Sequence, residues 1–315
     1  MGITVILCTY NRATSLALAL DSLAKSVLPG TVEWEVLVVD NNSGDRTREV
    51  VDDFCARYPG RFRYLFEPQQ GKSFALNAGI RATHADILAF VDDDVTVEPS
   101  WLHNLTSVLQ GGGWAGSGGR VLPVPGFLPP RWLSLSEPRN LGMALCAQFD
   151  LGTTPGELRD APFGTNMAFR RELFDKFGGF RGDLGPSLRE TRNEDTEFGR
   201  RLMAAGERLY YVPSAIVYHE IRPERVRKQF FLNWWFDRGR GAIREDGRRQ
   251  SYGKTLRSIL RTLITAAAWL VTIDPERRFY RQCMIWFALG KLVELRHTSG
   301  KSHRSPQKTA QPERV

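Results

Sequence analysis

The sequence predicts an α/β fold, a doubly wound and mainly parallel sheet flanked by helices, with a basic amphipathic helical appendage at its C-terminal end. Three observations predict it. Four short apolar, often β-branched runs alternate with helix-spaced apolar patterns before residue 100, the rhythm of a parallel sheet. Each of the longer runs stops abruptly at polar or acidic residues, and the basic residues are concentrated beyond residue 220.

The first run, Ile3 to Leu7, breaks at Cys8-Thr9-Tyr10-Asn11-Arg12, and helical spacing follows through Leu16, Leu20 and Leu23. The second, Trp34 to Val39, ends at Asp40-Asn41-Asn42-Ser43-Gly44-Asp45 and precedes a helical segment from Thr47 to Arg57. The third, Phe62 to Phe66, leads through Gln70-Gly71-Lys72-Ser73 into a helix from Phe74 to Ala82. The fourth, Ile87 to Val91, ends in Asp92-Asp93-Asp94.

In such sheets ligands sit beyond the carboxyl ends of the strands, where the strand order switches. Thr9 to Arg12, Asp40, Lys72 and Asp92 to Asp94 all belong to that rim. Three adjacent carboxylates repel one another, and a hard divalent cation carrying a diphosphate neutralises such a cluster. Taken alone, an Asp-rich turn is equally a solvated turn or a helix cap. The first loop lacks a Gly-x-Gly-x-x-Gly pattern, which disfavours a dinucleotide oxidoreductase.

Farther along, Ser187 to Asn193 reads as a polar loop with Asn193 as a cap. Glu194-Asp195-Thr-Glu197 opens a helix that closes at Gly206. Acidic residues in a first turn are favoured by the helix amide ends, so a purely structural role stands beside a chemical one. The strand from Leu209 to Tyr218 ends at His219, whose imidazole is either a metal ligand beside Asp94 or merely hydrogen-bonded.

Val5-Ile-Leu-Cys-Thr-Tyr-Asn-Arg12, Val38-Val-Asp-Asn-Asn-Ser43, Gly71-Lys-Ser-Phe-Ala-Leu-Asn77 and Phe90-Val-Asp-Asp-Asp94 resemble, in order, the motifs of family 2 inverting glycosyltransferases with the GT-A fold. The resemblance runs over roughly residues 3 to 225. It implies transfer of a sugar from a nucleotide diphosphate donor, usually with Mn²⁺ or Mg²⁺. It places Thr9, Tyr10 and Arg12 along the nucleotide, Asp40 on the base, Asp92 and Asp93 toward ribose and donor sugar, and Asp94 on the metal, with Asp92 a further candidate ligand. Lys72 is expected beside the diphosphate. Ala161 to Phe174 and Tyr210 to His219 resemble the acceptor-side motifs of the same family. By that resemblance Asp195 is the general base, Glu194 its neighbour, His219 a metal ligand, and Gly164 and Asn166 sugar contacts. Trp132 and the Pro-rich Pro123 to Arg131 are expected as a loop over the cleft, with Trp132 either stacking on a sugar or packing within the loop.

Composition bounds the rest. The chain has 315 residues, 42% hydrophobic and 25% charged, which is ordinary for a globular protein with one large core. Cys8, Cys55, Cys146 and Cys283 show no paired spacing, which disfavours a zinc module or disulfide framework and suits a reducing cytoplasm; no secretory leader is expected ahead of the first strand. From Ile221 onward there are 21 Lys and Arg against 8 Asp and Glu, net +13, whereas residues 1–220 carry net −5. The basic part includes Phe230 to Phe236 and two apolar stretches, one helically spaced from Leu256 to Val271 and one from Cys283 to Gly290. Neither approaches the roughly 20 residues needed to span a bilayer. They suit helices lying in the headgroup region of an anionic membrane, with packing onto the catalytic part as the alternative. No nucleic-acid motif accompanies the charge.

The expected organisation is a catalytic domain over 1–220, with a nucleotide-sugar half (1–110) and an acceptor half (111–220). A basic membrane-associating helical region (221–297) and a disordered tail (298–315) follow. Gln229-x-x-x-Asn233-Trp234 is distantly similar to the Gln-x-x-Arg-Trp motif of processive synthases but departs in spacing and at the arginine, which favours transfer of a single sugar to a hydroxyl acceptor. The acceptor expected is a lipid-linked or membrane-presented glycan, met at the cytoplasmic face. The competing readings are a sugar nucleotidyltransferase and a non-catalytic adaptor. The first would carry a Gly-rich, Lys-containing first loop, and the second would have lost an acidic residue from the triplet or the Glu-Asp pair; neither sign is present.

Overall fold

In the computed structural model, which describes residues 1–184, 194–246 and 252–301, the four sequence units fold as expected. They are β1 (Gly2–Thr9), α1 (Ala13–Ala24), β2 (Glu33–Asp40), α2 (Thr47–Arg57), β3 (Phe62–Phe66), α3 (Lys72–Arg81) and β4 (Ile87–Asp92). The strands lie in the order β3-β2-β1-β4, all paired in parallel. Both faces of these strands are apolar because both are covered. Val5, Leu7, Val36 and Val38 face Leu16 and Leu20 of α1 and Val51 and Phe54 of α2, and the alternate residues Ile6, Leu37 and Val39 face Ala75, Leu76 and Ile80 of α3.

The second half supplies β5 (Val95–Val97), α4 (Trp101–Gln110), β6 (Gly116–Pro123), α5 (Gly142–Cys146), β7 (Gly156–Glu157), β8 (Asn166–Arg170), α6 (Glu172–Phe177), α7 (Glu194–Ala204) and β9 (Leu209–His219). The sheet continues from β4 as β8-β6-β9-β5, with β7 on β9. Strand β8 is antiparallel to both β4 and β6, while β6 and β9 are parallel. This reversal matters for the site. Since β8 runs backwards, its entry residues Gly164 and Thr165 reach the same rim where β1, β2, β4 and β9 end.

Helix α7 is fastened to that rim by its own apolar side. Phe198 is fully buried and stacks on Phe174 at 4.7 Å, with Phe169 edge-on at 5.2 Å. One turn earlier, Glu194 and Asp195 therefore have a fixed position. The polar loop expected over Ser187 to Asn193 and the Asn193 cap lie outside the described residues; of the tail expected from residue 298, residues 298–301 are helical, as the end of the last helix (Pro275–Lys301), and the rest also lies outside them.

A 3-10 turn (Pro223–Arg225) leads into α8 (Lys228–Asp246), α9 (Tyr252–Leu270) and α10 (Pro275–Lys301). The apolar stretch of α10 is not a surface helix face. It packs on α8 so tightly that a Cβ on Gly290 would lie 2.0 Å from the Phe236 carbonyl, and one on Gly239 would lie 2.1 Å from the Phe287 carbonyl. Glu294 of α10 is buried between Arg240 (3.0 Å) and Arg244 (2.8 Å) of α8. Trp132 also turns inward, against Phe231 and Phe279, so the Pro-rich segment packs on the C-terminal helices rather than presenting a ring to the cleft. By contrast, α9 and the residues after it leave Leu260, Leu263, Ile264, Leu270, Val271 and Ile273 exposed. No described helix is long and apolar enough to cross a membrane.

Candidate active site

The strand ends and the first turn of α7 enclose a cavity of about 280 Å³. Arg12, Lys72, Asp92, Asp94, His219, Glu194 and Asp195 line its charged side. Its less polar side comes from Met143 and Ala144 of α5 and from Phe230 and Trp234 of α8.

Asp92, the last residue of β4, is clamped between two partners. Lys72 Nζ lies 2.5 Å from Oδ1, and Thr165 donates to Oδ2 at 2.8 Å. Burial alone would raise the Asp92 pKa, but the Lys72 charge and these two hydrogen bonds bring it down to about 2. Lys72 also reaches Glu194 Oε1, at 3.9 Å. Burial disfavours its charge, and the facing carboxylates of Asp92 and Glu194 outweigh this, so the ammonium is retained.

Asp94 is buried with Oδ1 at 3.3 Å from His219 Nε2. Its Oδ2 accepts from Arg12 at 2.9 Å and Arg225 at 3.2 Å. Burial raises its pKa, and His219 followed by Arg12 more than reverses that. The other face of the His219 ring, Nδ1, lies 2.8 Å from the Glu220 carbonyl. With Nδ1–H donated there, Nε2 offers Asp94 either a second proton or a lone pair, and in the latter case two acceptors meet and require a cation between them. Adjacent ligands of an octahedral Mg²⁺ or Mn²⁺ lie about 3 Å apart, so the Asp94–His219 pair fits such an ion. Among the described residues no group of three or more His, Cys, Asp or Glu side chains converges for metal binding. A bound ion would draw its remaining ligands from water and from the donor.

Asp195 is oriented by three donors. Gly164 N reaches Oδ2 at 2.6 Å, and Thr196 N and Oγ1 reach Oδ1 at 2.7 and 3.2 Å. A Cβ on Gly164 would lie 3.1 Å from Asp195 Oδ2, close enough that the carboxylate would have to shift by a few tenths of an ångström. Glu194 is 4% exposed, and its carboxyl is pushed up to about 7 by burial and then by the neighbouring Asp195, with Lys72 acting in the opposite direction.

Several expected site residues are placed behind the cavity. Asp93 turns inward to Thr9 Oγ1 (2.7 Å) and Arg12 (2.7 Å), with its pKa raised by burial and by Asp94 against the pull of Arg12. Thr9 and Asp93 thus brace Arg12. Asn166, expected as a sugar contact, is buried with its amide committed to Trp101 Nε1 and to the carbonyls of Arg120 and Ala215. That side chain ties β8 to β6 and β9. Gly164 contacts Asp195 rather than lining the cavity. Asp40 is buried at the end of β2, accepting from Ser43 N and Tyr64, while Tyr10 is exposed in the loop after β1.

Sequence reasoning missed Thr165, Arg225, Phe230, Trp234 and Arg238, all of which line the cavity. Thr165 stands between the named Gly164 and Asn166 and could have been found by the same motif. The others lie in a segment whose aromatic and basic character suggested a surface role.

Residues 4–178, more than half of the chain, match the family profile described as Glycosyl transferase family 2, and residues 140–283 match one described as Glycosyl transferase family group 2. The chain is 28% identical over 284 residues to the succinoglycan biosynthesis protein ExoM of Rhizobium meliloti, spanning 88% of this chain and 87% of that protein. It is 27% identical over 249 residues to the glucosyl-dolichyl phosphate glucuronosyltransferase of Haloferax volcanii, spanning 75% of each. Its fold is similar to that of the mannosyltransferase PcManGT from Pyrobaculum calidifontis, solved in complex with GDP-Man and Mn²⁺, with a TM-score of 0.56, 18% identity, and coverage of 96% of this chain and 76% of that one. The mixed sheet, the acidic rim of its strands and the profile match together make this chain a GT-A-fold member of glycosyltransferase family 2.

Proposed function

We propose that this chain is a metal-dependent, inverting glycosyltransferase that moves one sugar from a nucleotide-diphosphate sugar to a hydroxyl of a lipid-linked or membrane-presented glycan. One observation carries the reading. A single cavity holds a cation-type donor pair, Asp94 and His219, together with an oriented carboxylate, Asp195, and the Lys72–Asp92 pair also lines it.

Asp94 and His219 would hold Mn²⁺ or Mg²⁺, which supplies Lewis-acid stabilisation of the departing diphosphate. Lys72, fixed by Asp92, adds positive charge on the same side of the cavity. Thr9, Tyr10, Arg12 and Asp40 form the nucleotide side, with Asp93 holding Arg12 in place. Asp195 takes the proton of the acceptor hydroxyl as that oxygen attacks the anomeric carbon. Its orienting donors from Gly164 and Thr196 keep it aimed without any movement at the moment of transfer. One base suffices for a single in-line displacement, so the reaction inverts the anomeric configuration. Glu194 stays beside the base with its raised pKa.

We assign residues 1–220 to catalysis and the basic helices after them to peripheral contact with an anionic membrane on its cytoplasmic face. The net charge of +13 beyond residue 220 and the exposed apolar residues of α9 support that location. A dolichyl phosphate-linked glucose in the name of one relative supports a lipid-linked acceptor.

The test is calorimetric titration of the purified protein with UDP-, GDP- and dTDP-sugars, each with Mn²⁺ and with chelator. Metal-dependent binding of one donor is expected. A folded, lipid-reconstituted sample that binds none of them would favour a non-catalytic role.

A further inference from the structure

Asp94 carries two guanidinium groups on one oxygen, and the two are not equivalent. Arg12 Nη1 is 2.9 Å from Asp94 Oδ2 and also 2.7 Å from Asp93 Oδ1, so it has a second carboxylate to hold it. Arg225 Nη2 is 3.2 Å from the same Asp94 oxygen. Among the described residues the other side-chain contacts of Arg225 are neutral: Nη1 donates to the Leu145 carbonyl at 3.3 Å, and the guanidinium sits 5.9 Å from the Phe230 ring centroid.

From this asymmetry we infer that Arg225 is an internal cation that neutralises Asp94 in the empty site and exchanges it for the diphosphate of the donor when a divalent ion binds. The inference rests on Asp94 being a metal ligand. A buried carboxylate beside Asp92 and Asp93 needs a counter-charge at all times. A divalent ion arriving at Asp94 makes two guanidiniums surplus there, and the one without a second carboxylate is released. The diphosphate that accompanies the ion then presents oxygens that match a guanidinium fork. Arg225 ends the 3-10 turn just before α8, which carries Phe230 and Trp234 into the cavity. Exchange at Arg225 therefore links arrival of the donor to the less polar wall of the cavity.

The experiment titrates the full chain with Mn²⁺, reading free Mn²⁺ by electron paramagnetic resonance, with and without inorganic pyrophosphate. Wild type is compared with Arg225→Gln, Arg225→Lys and Asp94→Asn. Arg225→Gln is expected to bind Mn²⁺ alone on the order of tenfold more tightly, the scale of one lost charge-assisted hydrogen bond to the competing carboxylate. It should also lose a similar factor from the tightening that pyrophosphate gives the wild type. Arg225→Lys, which keeps the charge without the fork, should bind Mn²⁺ alone like the wild type yet gain less from pyrophosphate; it also serves if the glutamine variant fails to fold. Equal or weaker Mn²⁺ binding by a folded Arg225→Gln overturns the inference. The Asp94→Asn variant separates the two levels: unchanged Mn²⁺ binding there overturns the metal assignment itself, whereas its loss alongside an unchanged Arg225→Gln overturns only the exchange.

Discussion

Replacing Glu194 with glutamine should change how stability depends on pH, and the size of the change follows from the site. The carboxyl of Glu194 is buried at the start of α7, with its pKa pushed up to about 7 by burial and then by Asp195, against 4.5 for an ordinary glutamate. Between those values the folded chain keeps a proton that the unfolded chain has lost. Unfolding therefore releases that proton, and the wild-type fold loses stability as pH rises from 4.5 to 7, with no further loss from this group above the folded pKa. An interval of about 2.5 pH units at about 1.4 kcal/mol per unit gives a cost of about 3 kcal/mol. Glutamine cannot ionise and escapes it. Urea unfolding of both proteins at steps from pH 5 to pH 8 measures the difference. Any packing cost of the amide is independent of pH, so the slope is the test. Asp92, with a pKa of about 2, and Lys72, raised well above its usual range, titrate outside the window. A difference between the two proteins that stays flat with pH would refute the burial argument for Glu194.

Three further outcomes are expected. Asp195→Asn should lower the transfer rate by about 10²- to 10⁴-fold, the contribution of a general base, while calorimetry still shows donor binding; a loss of donor binding of the same size would move Asp195 out of that role. Gly290→Ala should lower stability by about 1 to 3 kcal/mol in thermal unfolding, since its methyl would meet the Phe236 carbonyl at 2.0 Å, and an unchanged melting temperature would mean that α8 and α10 are not in this contact. The double variant Leu263→Glu and Ile264→Glu should weaken co-sedimentation with anionic vesicles without changing the melting temperature, because both side chains are about 60% exposed; undiminished sedimentation would place the lipid contact elsewhere.

The first 110 residues were legible because their signals are local. Ile3 to Leu7, Trp34 to Val39 and Ile87 to Val91 are continuous apolar runs ending in polar residues, and a parallel strand covered on both faces can hardly be written otherwise. Glu194 and Asp195 were visible for a similar reason, as an acidic first turn ahead of a closing Gly206. Residues 111–220 were harder. Strand β8 is five residues long and antiparallel, and nothing in Asn166 to Arg170 records that it lies between β4 and β6. The partner of Asn166 is equally invisible, because Trp101 is 65 residues away. Arg225, Phe230 and Trp234 look in sequence like the basic and aromatic content of a surface helix, and only the packing of α8 turns them toward the cavity. The two apolar stretches of the C-terminal region read alike in composition. Their fates differ because Gly239 and Gly290 allow α10 to close on α8, whereas Leu260, Leu263 and Ile264 of α9 have no such cover.

The glycine contacts between α8 and α10 also set the bearing of the whole catalyst. Two helices touching backbone to backbone cannot slide or roll past each other without a clash, so they behave as one strut. One end of that strut carries Phe230 and Trp234 into the cavity, and α10 in turn packs against the exposed α9. Any surface that α9 rests on is consequently tied, through α10 and α8, to the cavity that Asp195 also lines. An acceptor anchored in that surface would then be selected by its reach, the number of sugars separating anchor from hydroxyl, before any contact in the pocket reads its identity.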